Sequence, residues 1–199
     1  MAATGGARAT FDVAFVCTGN RYRSVLAEAA FRDATSGLPV RVRSFGTLEL
    51  GPAGPLPEAL EAARGFGLDI ASHTARCVRG ADLSGASLVL GFETSHLAAA
   101  VADAGADLDR TFMLGHLAAL LGAVDLPEES DPHERAQALV RQAAALRRES
   151  PGVPEEIADP IGKPAARQAA IGRQVYETAT RLAAQLFGRA MPGATAVAG

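Results

Sequence analysis

Residues 11–16 (FDVAFV) form a short apolar run that stops at Cys17-Thr18-Gly19-Asn20, after which apolar residues recur at helical spacing from Leu26 to Ala30. A run of this length bounded by turn residues is the pattern of a strand buried on both faces. Three further runs have the same character, at 40–44 (VRVRS), 87–90 (SLVL) and 110–114 (RTFML), and only the first of these three alternates cleanly. Between them, Leu56, Leu60 and Ala63, then Leu97, Val101 and Ala104, recur at three- and four-residue steps. Strand and helix in alternation predict an α/β fold. We expect a four-stranded parallel sheet flanked by helices and joined by right-handed crossovers.

At 199 residues the chain suits one domain, which at this size buries roughly 70% of the unfolded surface. The domain is expected over residues 10–188, because 1–9 and 189–199 are small-residue, aperiodic tails that cannot bury enough surface to order themselves. Ile171, Val175, Ala179, Leu182 and Leu186 make the longest apolar stripe and predict a closing helix entered through Pro164. A second late helix is expected near 133–148, followed by an exposed, turn-rich connection over 149–156. The net charge of −3, from 19 basic and 22 acidic residues, supplies no global field for nucleic acid or an anionic membrane. Nor does any apolar stretch reach the roughly 18 residues of a membrane span, and no signal sequence opens the chain. These features read as a cytoplasmic protein. Cys17 and Cys77 are too few for a disulfide scaffold and lack metal-ligand spacing, so each is to be judged as a thiol.

The segment that carries chemistry is 16–28, VCTGNRYRSVLAE, between the first strand and the first helix. A loop in that position turns backbone N–H groups inward and adds the positive end of a helix dipole, which makes it a cradle for phosphate. Gly19 and Asn20 suit the left-handed backbone of a tight loop. Arg23 adds a planar fork able to hold two phosphoryl oxygens. Cysteine in such a field ionises more readily, and the thiolate is the nucleophilic form. Ser24 is placed to donate a hydrogen bond to that sulfur, to cap the helix, or to do both.

Cys17 through Ser24 resembles the Cys-x5-Arg-Ser loop of the low-molecular-weight protein tyrosine phosphatases. Leu26-Ala27-Glu28, Ser44-Phe45-Gly46-Thr47, Ser72-His73-Thr74-Ala75-Arg76 and Asp159-Pro160 are similar to further segments of that family. The resemblance implies a sheet in the order 2-1-3-4 and hydrolysis of phosphate monoesters, protein phosphotyrosine above all, through a cysteinyl-phosphate and without a metal or other cofactor. By it, Cys17, Arg23 and Asp159 are catalytic, and Asp159 acts first as acid and then as base. Thr18, Gly19, Asn20, Arg21, Tyr22, Arg23 and Ser24 hold the phosphate, with Ser24, Asn20 and His73 supporting the loop. The partner is a phosphorylated protein or small phosphate monoester. Some positions depart from the family's pattern: Tyr22 replaces a second loop cysteine, Val25 a proline, and Leu50 and Ile161 two aromatic pocket walls. Two other readings use the same loop. Arsenate reduction coupled to a small thiol needs only Cys17, whereas the thioredoxin-coupled version needs cysteines after the third strand, where Gly91-Phe92-Glu93 has none. A degenerate phosphate-binding module would explain Leu50 and Ile161 by lost turnover.

Several residues have plainer roles. Asp131-Pro132 rivals Asp159-Pro160 as the acid, but the position before the closing helix favours Asp159. His96, His116 and His133 stand singly and are expected on helix surfaces or termini, and Cys77 as an inert packing thiol. Residues 128–134 read as an acidic, solvated start to a helix, and the long 125–150 segment as a possible cap over the site.

Overall fold

The computed structural model describes residues 9–124, 131–149 and 156–188. The expected tails, except for Ala9, and most of the 149–156 connection lie outside the described residues. Four strands, β1 (Phe11–Cys17), β2 (Val40–Gly46), β3 (Leu88–Gly91) and β4 (Thr111–Met113), pair in parallel in the order β2-β1-β3-β4. This is the expected topology, with the carboxyl ends of all strands at one edge, where ligand sites of open parallel sheets lie.

Among the described residues the strands are accompanied by the α-helices α1 (Arg23–Ala34), α2 (Pro57–Gly65), α3 (Thr94–Ala104), α4 (Leu114–Gly122), α5 (Pro132–Glu149) and α6 (Ala165–Phe187). β1 is buried along its whole length, as its unbroken apolar run requires, and successive side chains go to opposite faces. Phe11, Val13, Phe15 and Cys17 join a core shared with α1, α4, α5 and α6. Ala14 and Val16 meet Ala100 and Ala104 of α3 on the other face. Edge strand β2 alternates because it is only half covered, and its Arg41 and Arg43 both pair with buried Asp12 of β1. The stripe on α6 faces the core as expected, with Ile171, Val175, Ala179, Leu182 and Leu186 all buried.

Three expectations need correction. Leu114 opens α4 instead of ending β4, a helix hidden by its nearly all-apolar sequence, LGHLAALLG, which shows no clear amphipathic period. Pro164 is the N-cap of α6, one position outside the helix. The described part of 125–150 does not cap the site: α5 packs into the core beside α6, and His133 in its first turn meets Phe11 edge to face at 5.7 Å. Phe11 begins β1 and Cys17 ends it, so His133 sits roughly 20 Å from the opposite end of the sheet by strand rise. Among the described residues no helix is long and apolar enough to cross a membrane.

Candidate active site

Cys17 is the last residue of β1, and α1 begins six residues later at Arg23. The loop between them closes back on the sulfur. The Asn20 amide donates to Cys17 Sγ at 3.3 Å, and Ser24 Oγ lies 3.0 Å from the same atom. Because Ser24 Oγ already accepts from Asn20 Nδ2 at 2.9 Å, its single hydrogen is free to point at the sulfur. Ser24 is therefore not the helix cap; Tyr22 holds that position without a side-chain cap bond.

Asn20 organises the loop. It adopts φ 52°, the one described non-glycine residue in the left-handed region, whereas Gly19 is not left-handed, contrary to expectation. Such a backbone is strained for most side chains and needs support. Asn20 Nδ2 also donates to Ser44 Oγ at 2.8 Å, and its Oδ1 accepts from the Arg76 amide at 2.8 Å. His73 Nε2 lies 3.0 Å from the Asn20 carbonyl and 3.2 Å from Oδ1. Both are acceptors, so Nε2 carries the proton, and burial lowers the His73 pKa, which keeps the ring neutral. Ser44 passes its own proton to Glu28 at 2.5 Å. His73 thus sits where the sequence suggested a loop support, joined by Ser44, Glu28 and Arg76. Gly46 lets strand and loop touch: a Cβ there would lie 2.9 Å from both Asn20 N and Gly19 C.

Arg23 is 2% exposed and its guanidinium is fully engaged at both terminal nitrogens. Nη1 donates to Glu93 and to the Ile157 carbonyl, and Nη2 to Thr18 Oγ1 at 3.1 Å and to Asp159 Oδ2 at 2.5 Å. Sequence reasoning missed Glu93 and misplaced His96. His96 does stand in a first helical turn, that of α3, but it is buried, not on a surface. Its Nδ1 accepts from the amides of Phe92 and Glu93 at 3.3 and 3.1 Å, so Nε2 donates to Thr18 Oγ1 at 3.0 Å. Burial, then the nearby Arg23 charge, lower its pKa to about 4. The signal was present as Glu93-x-x-His96 directly after the third strand, a reciprocal cap at the start of α3.

Of these residues, Cys17, Thr18, Arg23 and Asp159 line a cavity of about 220 Å³. Cys17, Arg23 and Asp159 form its polar part, and Leu48, Leu50, Leu56 and Ile161 its apolar part. Three of the four exposed large hydrophobic side chains among the described residues, Leu48, Leu50 and Ile161, lie here, so the mouth is a deliberate apolar patch and not scattered exposure. Leu50 and Ile161 were expected as walls, whereas Leu48 and Leu56 were not. Arg21 and Tyr22 send their side chains away, to the carbonyls of Gly54 at 2.7 Å and Gln168 at 2.9 Å, leaving only their backbone in the loop. The rival Asp131 caps α5, accepting from the amides of His133 and Glu134 at 2.8 and 3.1 Å. Among the described residues no group of three His, Cys, Asp or Glu side chains is placed to hold a metal ion. The arrangement unites a nucleophilic sulfur, an anion cradle and a carboxylate in one apolar-mouthed cavity.

A model of the low molecular weight phosphotyrosine protein phosphatases matches residues 12–150. The chain belongs to that family. A low molecular weight protein-tyrosine-phosphatase of Streptomyces coelicolor is 42% identical over 97 residues, covering 45% of this chain and 57% of that protein. The protein-arginine-phosphatase of Bacillus subtilis is 35% identical over 106 residues, covering 52% of this chain and 69% of its own length. The chain therefore spans about half to two thirds of the curated relatives it matches. The fold extends further: a crystal structure of a low molecular weight protein tyrosine phosphatase from T. tengcongensis superposes with TM-score 0.64 at 24% identity, covering 87% of this chain and 97% of that one. Asp159 lies beyond the stretch matched by the family model, and Cys17, Asn20, Arg23 and Ser24 lie within it.

Proposed function

We propose that this member of the family hydrolyses phosphate monoesters on proteins, phosphotyrosine foremost, through a cysteinyl-phosphate. The observation that carries the proposal is one cavity lined by Cys17, Arg23 and Asp159, with Ser24 Oγ 3.0 Å behind Cys17 Sγ and Arg23 Nη2 2.5 Å from Asp159 Oδ2. A phosphoryl group bound over Cys17 meets the backbone amides of 18–23, the N-terminus of α1 and the Arg23 fork, which stabilise its equatorial charge. The sulfur attacks phosphorus, an S–P bond forms, the P–O bond to the leaving group breaks, and Asp159 in its acid form gives that oxygen a proton. Asp159, now a carboxylate, takes a proton from water as the water attacks phosphorus. The S–P bond breaks, Ser24 donates to the departing sulfur, and inorganic phosphate leaves. The chemistry needs a free Cys17 thiol, which suits a reducing, cytoplasmic compartment.

Leu48, Leu50, Leu56 and Ile161 offer aliphatic contact to a phenyl ring but no aromatic face to stack on. A second reading, phosphoarginine, is favoured by the relative named protein-arginine-phosphatase and by the Asp159 carboxylate at the mouth, which suits a guanidinium leaving group. Turnover of phosphotyrosine and phosphoarginine peptides in the presence of a chelator, with thiol-dependent arsenate reduction assayed alongside, separates the readings. Phosphotyrosine should be hydrolysed fastest, Cys17→Ser should abolish turnover, and Arg23→Lys should cripple it because a point charge cannot form the fork. Undiminished hydrolysis by Cys17→Ser overturns the mechanism. Faster arsenate reduction than ester hydrolysis overturns the activity.

A further inference from the structure

Tyr22 belongs to the phosphate loop, yet its ring is buried against α6 with 4% exposure. Its hydroxyl donates to the main-chain carbonyl of Gln168, at the start of α6, at 2.9 Å. The side chain of the same Gln168 donates to the Lys163 carbonyl at 3.0 Å. Lys163 N in turn donates to the Pro160 carbonyl at 3.1 Å, and Ile161 N to Asp159 Oδ1 at 2.9 Å. A continuous path of hydrogen bonds therefore runs from the loop that cradles phosphate to the segment that carries Asp159.

A second observation shows that α6 is shaped for this ring. Gly172 stands inside α6, where glycine is disfavoured relative to alanine, in a helix that has alanine at seven other positions. A Cβ at Gly172 would lie 2.8 Å from the Tyr22 hydroxyl oxygen and 3.3 Å from Ala62 Cβ. The glycine makes room for the phenol. Burial, with Glu58 and Glu61 facing the ring, raises the Tyr22 pKa, so the hydroxyl stays a donor.

We propose that Tyr22 is a positioning residue: seated over Gly172 and bonded to Gln168, it sets the 159–164 segment relative to the phosphate loop and so places Asp159 over the leaving oxygen. In kinetic terms this rests on the phosphatase reading above. Tyr22 acts on Asp159 and not on phosphate, so its loss should be felt most by esters whose leaving group needs a proton.

The test compares wild type, Tyr22→Phe and Gly172→Ala on phenyl phosphate, a poor leaving group, and p-nitrophenyl phosphate, a good one. Tyr22→Phe should lower kcat/KM, which reports the step in which the leaving group departs, on the phenyl ester by roughly three- to tenfold, the scale of one lost hydrogen bond, and barely change it on the nitrophenyl ester. Gly172→Ala, which crowds the hydroxyl, should give the same pattern. Inhibition by inorganic phosphate should not weaken in either. Equal losses of kcat/KM on the two esters, or weaker phosphate inhibition, would mean that Tyr22 serves the loop itself and would overturn the proposal. Hydrogen exchange provides a readout independent of turnover: the Ile161 and Lys163 amides should exchange faster in Tyr22→Phe while the amides of 18–23 do not. Unchanged exchange at Ile161 and Lys163 overturns the coupling. Absence of ester hydrolysis by wild type would overturn the phosphatase reading alone.

Discussion

Arg23 Nη2 donates to Asp159 Oδ2 at 2.5 Å, so the cation of the phosphate cradle and the candidate acid neutralise each other across the cavity. Both terminal nitrogens of Arg23 are already occupied, by Glu93, the Ile157 carbonyl, Thr18 and Asp159. A phosphoryl group must displace one carboxylate to reach the fork, and Asp159, at 36% side-chain exposure against 29% for Glu93, is the less confined. Phosphate binding and release of Asp159 are then one event. Asp159→Asn should bind inorganic phosphate several-fold more tightly in calorimetry, because a competing charge is gone, while kcat on phenyl phosphate falls by roughly 10²-fold or more. Weaker phosphate binding in this variant would show that the ion pair does not compete.

Asp131 supplies the contrast. Its carboxylate caps α5, far from Cys17, so Asp131→Ala should cost about 1 kcal/mol of stability, typical of a lost N-cap, and leave kcat as in wild type. Thermal melts beside steady-state assays decide it, and a kinetic defect like that of Asp159→Asn would move the acid role to Asp131.

Gly46→Ala should be more damaging than its size suggests. The added methyl would meet main-chain atoms of Gly19 and Asn20 at 2.9 Å, and backbone held by this many hydrogen bonds cannot step aside. Overpacking of this kind costs about 1–3 kcal/mol, and the displaced loop should lose roughly 100-fold or more in kcat/KM. Denaturant titration and aryl phosphate kinetics measure both, and near-wild-type kinetics would show a loop more pliable than its contacts imply.

His96 makes stability depend on pH in a defined window. Unfolded, its imidazole takes up a proton near pH 6.5; folded, it stays neutral down to about 4, because it is buried, faces Arg23 and accepts amide hydrogens at Nδ1. Glu93, Glu156 and Asp159 oppose that shift. Between these values the unfolded state binds more protons, so stability from this group is complete above about 6.5 and declines as pH falls toward about 4. The slope is at most about 1.4 kcal/mol per pH unit. His96→Gln should flatten urea-unfolding stability across this window, although His73, shifted in the same direction, will leave part of the slope. An unchanged profile would show that His96 carries no such linkage.

Much of the molecule was legible from local pattern. Four apolar runs with helical patterns between them sufficed for a parallel sheet covered by helices, because a strand without polar alternation must be covered on both faces, whereas the order of its strands was legible only through the family resemblance. The loop 17–24 was readable for a similar reason: its spacing places sulfur, fork and hydroxyl around one strand-to-helix turn. α4 was hidden, since an apolar stretch without a period fits strand and helix equally well.

What the sequence by itself determined is therefore what depends on neighbours along the chain: strand, turn, helix start, and the residue types that a phosphate cradle requires. The family resemblance pointed to His73 and Asp159, but only the tertiary structure decided what these distant side chains touch and which others join them. His73 and Arg76 come to Asn20 from 53 and 56 residues away, and Glu93 and Asp159 meet Arg23 across 70 and 136. The same holds for Tyr22, whose ring reaches Gln168 across 146 residues and whose place depends on a glycine in α6. The physical reason is that hydrogen-bond direction and burial act through a few ångströms of space, and separation along the chain sets no limit on which residues the folded sheet brings that close.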